Sequence, residues 1–266
     1  MRVGIITGSG TYSLPQLEAG EPEDVDTEWG ATRITRGTFA GVDVVHVSRH
    51  GEGHARLSNQ VTHRANVAAL KDAGCDAVVA VTVCGAVDPS VGLGSLIVFD
   101  DLHFVVNRLA DGSLCTFHDT PGDERRAHWI YEDPYAPALR AALLAGAQEA
   151  GVAARDGGCY GHVDGPRFNT KAEIRGLAAC GVTAVSQTAG PETVLCGEAE
   201  LPFGLVGYAT DYANGVQAEA TPVATLLELI AASAETFASV LAAAVPRIGA
   251  GEAPPPVGIN YRFHGR

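Results

Sequence analysis

Apolar positions along this chain fall into two patterns, short continuous runs and longer stretches spaced three and four apart. The continuous runs predict strands. Residues 3–7 are rich in β-branched side chains and end at Gly8-Ser9-Gly10, a turn that lets backbone N–H groups approach an anion. Residues 32–39 and 42–47 predict two strands joined at Ala40-Gly41. Residues 77–83, AVVAVTV, are almost wholly apolar, as a central strand covered on both faces requires. Residues 94–99, 182–185 and 204–210 predict further strands, and 153–160 lead into another.

Helical spacing marks residues 59–73, with Gly74 as the stop. It recurs at 137–150, at 170–179 with Asn169 as N-cap and Gly181 as stop, and at 192–199. Residues 221–245 predict a long Ala/Leu helix with Pro222 at a favourable first position. Residues 107–131 lack regular patterning and carry His118 and His128; they read as a long loop or arm. The Gly/Pro-rich tail, 249–266, reads as irregular. Alternation of strand and helix over the remainder, residues 1–248, predicts an α/β fold in one domain.

Composition narrows the possible functions. The formal net charge of −13 argues against a nucleic-acid or anionic-membrane binder, because both need a basic face. An anionic substrate then needs a local cluster of Arg, His and N–H groups to override the global field. Six cysteines, Cys75, Cys84, Cys115, Cys159, Cys180 and Cys196, form no C-x-x-C pair and read as reduced thiols of a cytoplasmic protein. His54 and His63 have no Cys or carboxylate partner at ligand spacing, so no metal site is expected. No signal peptide is read at MRVGIITGSG, and no apolar run is read as long enough to cross a bilayer.

The candidate chemistry sits where predicted strands end. Ser9 follows the first strand, Arg49-His50 follows the strand over 42–47, Thr82 closes the central strand, Thr188 follows 182–185, and Asp211 follows 204–210. In α/β sheets ligands bind beyond the carboxyl ends of strands. Arg offers a planar fork and His a second donor, together an oxyanion cradle. Five such places converging make a site.

The segments TGSGTY, SRHGEGH, THRANVAALKDAGC, VTVCGAV, DGPRFNTKAE, SQTAGPE and ATDYANG, in this order, resemble the trimeric purine nucleoside phosphorylases, most closely the 5′-methylthioadenosine phosphorylase branch. The resemblance covers about residues 3–248. It implies a three-layer α/β/α domain around a mixed, twisted sheet, a homotrimer, and phosphorolysis of a purine nucleoside with inorganic phosphate as co-substrate and no cofactor. It places phosphate on Ser9, Arg49, His50, Thr82, the Val83 backbone N–H and Thr188. It places the nucleoside against Phe168, Gln187, Asp211, Ala213 and Asn214, with Val223, Leu226 and Leu227 around its 5′ substituent. Asp211, Arg49 and His50 would be the catalytic residues, Asp211 as the acid at the purine N7. It also makes the stretch bearing His118 and His128 the arm that reaches a neighbouring subunit's substrate.

Asp211 favours a 6-aminopurine, since 6-oxopurine members carry Asn there. The chain departs from the pattern at Ala213, where adenine-specific members carry a second Asp, with Asn214 as a possible substitute. It departs again at Gln187, where the family has Met against the ribose hydroxyls, and at Thr62-His63, where it has Asn-Tyr. Three readings stand: phosphorolysis of 5′-methylthioadenosine or a related 5′-substituted adenosine, a 6-oxopurine phosphorylase, and a non-catalytic nucleoside-binding member.

Overall fold

The computed structural model describes residues 1–262. In chain order the strands are β1 Val3–Thr7, β2 Glu18–Ala19, β3 Glu23–Thr27, β4 Gly30–Phe39, β5 Val42–Ser48, β6 Ala77–Ala86, β7 Leu96–Val98, β8 Asp101–His103, β9 Ala127–Ile130, β10 Ala154–Asp156, β11 Cys159–His162, β12 Val182–Ser186, β13 Phe203–Tyr212 and β14 Ile259–Arg262. The α-helices are α1 His63–Asp72, α2 Pro137–Glu149, α3 Lys171–Ala179, α4 Ala189–Glu198 and α5 Val223–Gly249.

A mixed sheet runs in the order β10-β7-β13-β6-β1-β5-β4-β2. Its centre is parallel: β6 lies between β13 and β1, and β1 pairs with β5. Strand β12 joins the far end of β6 antiparallel, at Gly85 and Ala86, and carries β11 and β8 beyond it. Period-two alternation sends successive side chains of β1 and β6 to opposite faces. Val3, Ile5, Val79 and Val81 pack with Leu139 and Leu143 of α2 and Phe237 and Leu241 of α5. Ile6, Val78 and Ala80 face the other way, with Val67 and Leu70 of α1 and Leu195 of α4. Both faces of the central strands are therefore covered, which explains why AVVAVTV lacks polar alternation.

Several boundaries differ from the sequence expectation. Helix α1 starts at His63 because Ser58–Gln60 forms a separate 3-10 turn, closed by the Gln60 side chain accepting from Leu57 N–H. The N-cap of α3 is Thr170, not Asn169: Thr170 and Glu173 exchange side-chain-to-backbone bonds in a capping box. Helix α4 begins at Ala189, three residues early, and β6 continues to Ala86 because β13 and β12 keep pairing with it.

Helix α5 runs past Pro246 to Gly249 with Pro222 as its N-cap. It is long and apolar enough to cross a bilayer, contrary to the sequence reading. Its second half is instead part of the core, with Phe237, Val240, Leu241, Ala244, Val245 and Ile248 buried. That burial outweighs the proline's lost bond.

The tail is also more ordered than its composition implies. Ile259–Arg262 pairs antiparallel with Ala127–Ile130, so a strand also interrupts the stretch read as an arm. Trp129 Nε1–H donates to Val257 O at 2.8 Å, and Asn260 Nδ2 donates to the last carbonyls of α4, Gly197 and Glu198. The last four residues of the tail lie outside the described residues. A chain ending at Pro256 is expected to expose the Trp129 indole. In a Trp29→Phe background, its fluorescence should shift to the red relative to the full chain.

Candidate active site

The carboxyl ends of β1, β5, β6 and β13 meet at a cavity of about 260 Å³. Of the residues expected from the sequence, Ser9, Arg49, His50, Thr82, Val83, Phe168, Gln187, Thr188, Asp211, Ala213, Asn214 and Leu226 line it. Val223 and Leu227 do not: they point out of α5, 69% and 60% exposed. Ile230, one turn beyond Leu226, lines the cavity in their place. Val223 is the first residue of α5, and Leu227 lies about 100° around the helix from Leu226, at the solvent edge of the stripe.

One side of the cavity is a notch in the sheet. Strand β1 stops pairing with β6 at Ala80, and β12 joins only at Gly85. Between them that edge of β6 has no strand neighbour. Arg49 Nη1 donates to Val81 O at 2.7 Å there. Residues two apart in a strand aim their backbone groups the same way, so the Val83 N–H faces the notch too. Thr82 Oγ1 lies 3.1 Å from Ser186 Oγ at the same edge. The Thr188 side chain makes no capping bond to α4, so its hydroxyl is left for the cavity.

The Arg49 fork is not turned toward the cavity. Its Nε and Nη2 donate to the two carboxylate oxygens of Glu192 at 2.6 and 2.7 Å, with both side chains buried. A guanidinium has five N–H donors; with Val81 O also satisfied, two remain for a ligand. His50 corrects the expectation as well. Its Nδ1 sits 2.9 Å from Arg56 O, an acceptor only, so Nδ1 carries the proton and Nε2 presents a lone pair. Burial, reinforced by the Arg49 charge, lowers the His50 pKa to about 3. His50 is therefore a neutral acceptor toward the cavity, not the second donor expected. Its ring stacks on His54 at 4.2 Å, and His54 Nδ1 pairs with the Tyr12 hydroxyl.

On the opposite side stands Asp211. The pairing of β13 with β6 slips between Ala209 and Asp211, leaving Thr210 as an extra residue. A bulge of this kind re-aims the side chain next to it. Asp211 lies opposite Gly85, where a Cβ would come within 3.2 Å of Oδ2. Thr210 Oγ1 donates to Asp211 Oδ1 at 2.9 Å. Burial raises the Asp211 pKa, only partly opposed by that hydrogen bond. Ala213 offers no polar group, and no second acid lines this cavity among the described residues.

Sequence reasoning missed Glu192 and Tyr160. A carboxylate inside an apolar helix is the signal for the first. The second carries none, because its role is to accept the Thr188 and Ala189 N–H groups at the start of α4, at 3.4 and 3.1 Å. His118 and His128 line a separate hollow with Trp129, Tyr131 and Glu198.

A family profile described as the phosphorylase superfamily matches residues 2–246. The chain belongs to the phosphorylase superfamily. Among relatives, it is 32% identical over 252 residues to a 6-oxopurine nucleoside phosphorylase of Pyrococcus furiosus, covering 93% of both chains. It is 34% identical over 212 residues to an S-methyl-5′-thioadenosine phosphorylase of Geobacter sulfurreducens, covering 79% of this chain and 72% of the other. Among solved structures, methylthioadenosine phosphorylase from Schistosoma mansoni in complex with adenine superposes with a TM-score of 0.84 at 26% identity, covering 95% of this chain and 93% of the other.

In this superfamily member the buried Arg49–Glu192 pair holds the notch side of the cavity. Glu192→Gln leaves the guanidinium without a counter-charge, and breaking a buried pair costs about 3–5 kcal/mol. Denaturant unfolding of that variant should show a loss of this size.

Proposed function

We propose that the protein catalyses phosphorolysis of a purine nucleoside, with a 5′-deoxy-5′-substituted adenosine such as 5′-methylthioadenosine as the preferred substrate. The carrying observation is that the notch and Asp211 open onto one cavity. Strand order puts β1 and β6 between β5 and β13. At about 4.8 Å per strand, roughly 14 Å of sheet separates the backbones bearing Arg49 and Asp211.

In this reading phosphate lies in the notch, held by the Ser9, Thr82 and Thr188 hydroxyls, the Val83 N–H and the two remaining Arg49 donors. Neutral His50 accepts from the protonated oxygen of hydrogenphosphate through Nε2, which turns an unprotonated oxygen toward the sugar. As the bond from C1′ to N9 breaks, its electron pair passes to the purine and positive charge grows on the sugar ring, facing the phosphate. The attacking oxygen closes the bond to C1′. Asp211 transfers its proton to N7, giving neutral base and ribose 1-phosphate, and regains a proton from water.

Base preference follows from the same acid. With Thr210 bonded to Oδ1, the proton resides on Oδ2. A protonated carboxyl then donates to N7 and accepts from a 6-amino group. Against a 6-oxopurine its second oxygen would oppose another acceptor. Leu226 and Ile230 offer apolar surface to a 5′ group that lacks a hydroxyl. Ala213 and the 6-oxopurine phosphorylase relatives favour the second reading, a 6-oxopurine substrate. The assembly proposed is a homotrimer, which mass measurement in solution checks.

Adenine should be released from 5′-methylthioadenosine only when phosphate is present; equal release without it would point to hydrolysis. Asp211→Asn should lower kcat/KM for that substrate about 10²–10⁴-fold, the usual worth of a general acid, while sparing or raising turnover of inosine. Because the protonated carboxyl is the active form, kcat/KM should fall as pH rises through the Asp211 pKa. That fall should lie above the ordinary aspartate range.

A further inference from the structure

Phe168 sits on the loop between β11 and α3, lines the cavity, and is 60% exposed. Its ring is thus held by little packing of its own. The backbone on either side of it is held by side-chain amides from two other elements. Gln187 Nε2 donates to Arg167 O at 3.0 Å, and Asn214 Nδ2 donates to Asn169 O at 2.7 Å. A backbone carbonyl only accepts, so the nitrogen of each amide must be the atom facing it. Gln187 is anchored in turn: its Oε1 accepts from Ser58 Oγ at 2.8 Å, on the loop between β5 and α1. Gly165 packs against this junction, where a Cβ would collide with both Gln187 Oε1 and Ser58 Oγ. Among the described residues, the hydrogen bonds reaching residues 164–169 from outside this loop and α3 are these two. The other bonds of the loop are local, such as the exposed Arg167–Glu173 pair, and exposed pairs contribute little.

We propose that Gln187 and Asn214 are a pair of positioning residues, a clamp that fixes the carbonyls flanking Phe168 and so presents its ring to the bound base and sugar, rather than ligands of the nucleoside. The clamp gives one role to Gln187, where this chain departs from the pattern it resembles, and to Asn214, the residue after a second departure at Ala213. Gln187 replaces an apolar side chain that could not make either bond. Asn214, next to Ala213, spends its donor on the loop instead of standing in for a missing acid. Through Ser58, the clamp also ties the Phe168 loop to the loop that carries Arg49 and His50.

The near-isosteric variants Gln187→Glu and Asn214→Asp remove the donating N–H and set a carboxylate against the carbonyl. In the ligand-free protein the backbone amide order parameters of residues 165 and 167–169 should fall from the rigid range, about 0.85, to below about 0.6 in each, since each variant loses a hydrogen bond and gains a facing charge. This arm is independent of what the enzyme acts on. The second arm rests on the proposed function. KM for the nucleoside should rise about tenfold with KM for phosphate unchanged. In a Phe168→Ala background the same substitutions should change the nucleoside KM less than twofold, because the ring they position is gone. If the carboxylate variants fail to fold, Gln187→Met and Asn214→Ala carry the same expectations. Unchanged order parameters, or a full KM penalty persisting without Phe168, overturn the clamp. Lack of any phosphate-dependent turnover in the unsubstituted protein overturns the proposed function instead and leaves the order parameters to decide the clamp.

Discussion

The buried ion pair between Arg49 and Glu192 is the constraint from which the cavity is built. The two residues are 143 positions apart, and neither side chain reaches solvent. Removing two charges from water costs several kcal/mol each, so such a pair adds little net stability over an apolar equivalent. What it supplies is geometry. Three short hydrogen bonds fix the guanidinium against β6 and against α4 at once. That docks the loop after β5 onto the helix that begins just past Thr188, while Tyr160 holds the first N–H groups of that helix. The walls of the notch are therefore set by one contact and its neighbours.

The pair also bears on how an acidic protein would hold the phosphate of the proposed reaction. Glu192 neutralises most of the charge that Arg49 brings, and His50 is neutral. The notch then relies on hydroxyls, a strand N–H and two spare guanidinium donors at short range, where the global charge of −13 is screened. Across the cavity the logic is reversed. Asp211 is kept from ionising readily by its burial, and a bulge with a glycine opposite makes room for it. In the proposed reaction one side would stabilise negative charge and the other retain a proton, a division of labour between groups with opposed environments.

Much of the fold was legible because burial on both faces leaves a simple mark. The apolar run over 77–83 identified a central strand, and glycines after 73, 150 and 180 marked the ends of helices that the structure contains. The errors came where tertiary contacts override local signals. Pro246 marked an end for α5 that core burial overrides. The composition of the tail hid a strand because its partner, β9, lies some 130 residues away in an equally unpatterned stretch.

By itself the sequence determined which side chains are available to the cavity: Ser9, Arg49, His50 and Thr188 just past strands, and Thr82 and Asp211, which the structure places inside the carboxyl halves of β6 and β13 and not beyond them. Strand periodicity and turn chemistry are local, and they are written in consecutive residues. The tertiary structure alone decided how those side chains are used. It turned the Arg49 fork onto Glu192, made His50 an acceptor, swung Val223 and Leu227 outward, and joined Gln187 and Asn214 to the backbone around Phe168. Each of these outcomes depends on a partner distant in the chain, and a hydrogen bond between distant residues leaves no pattern in either one's neighbours.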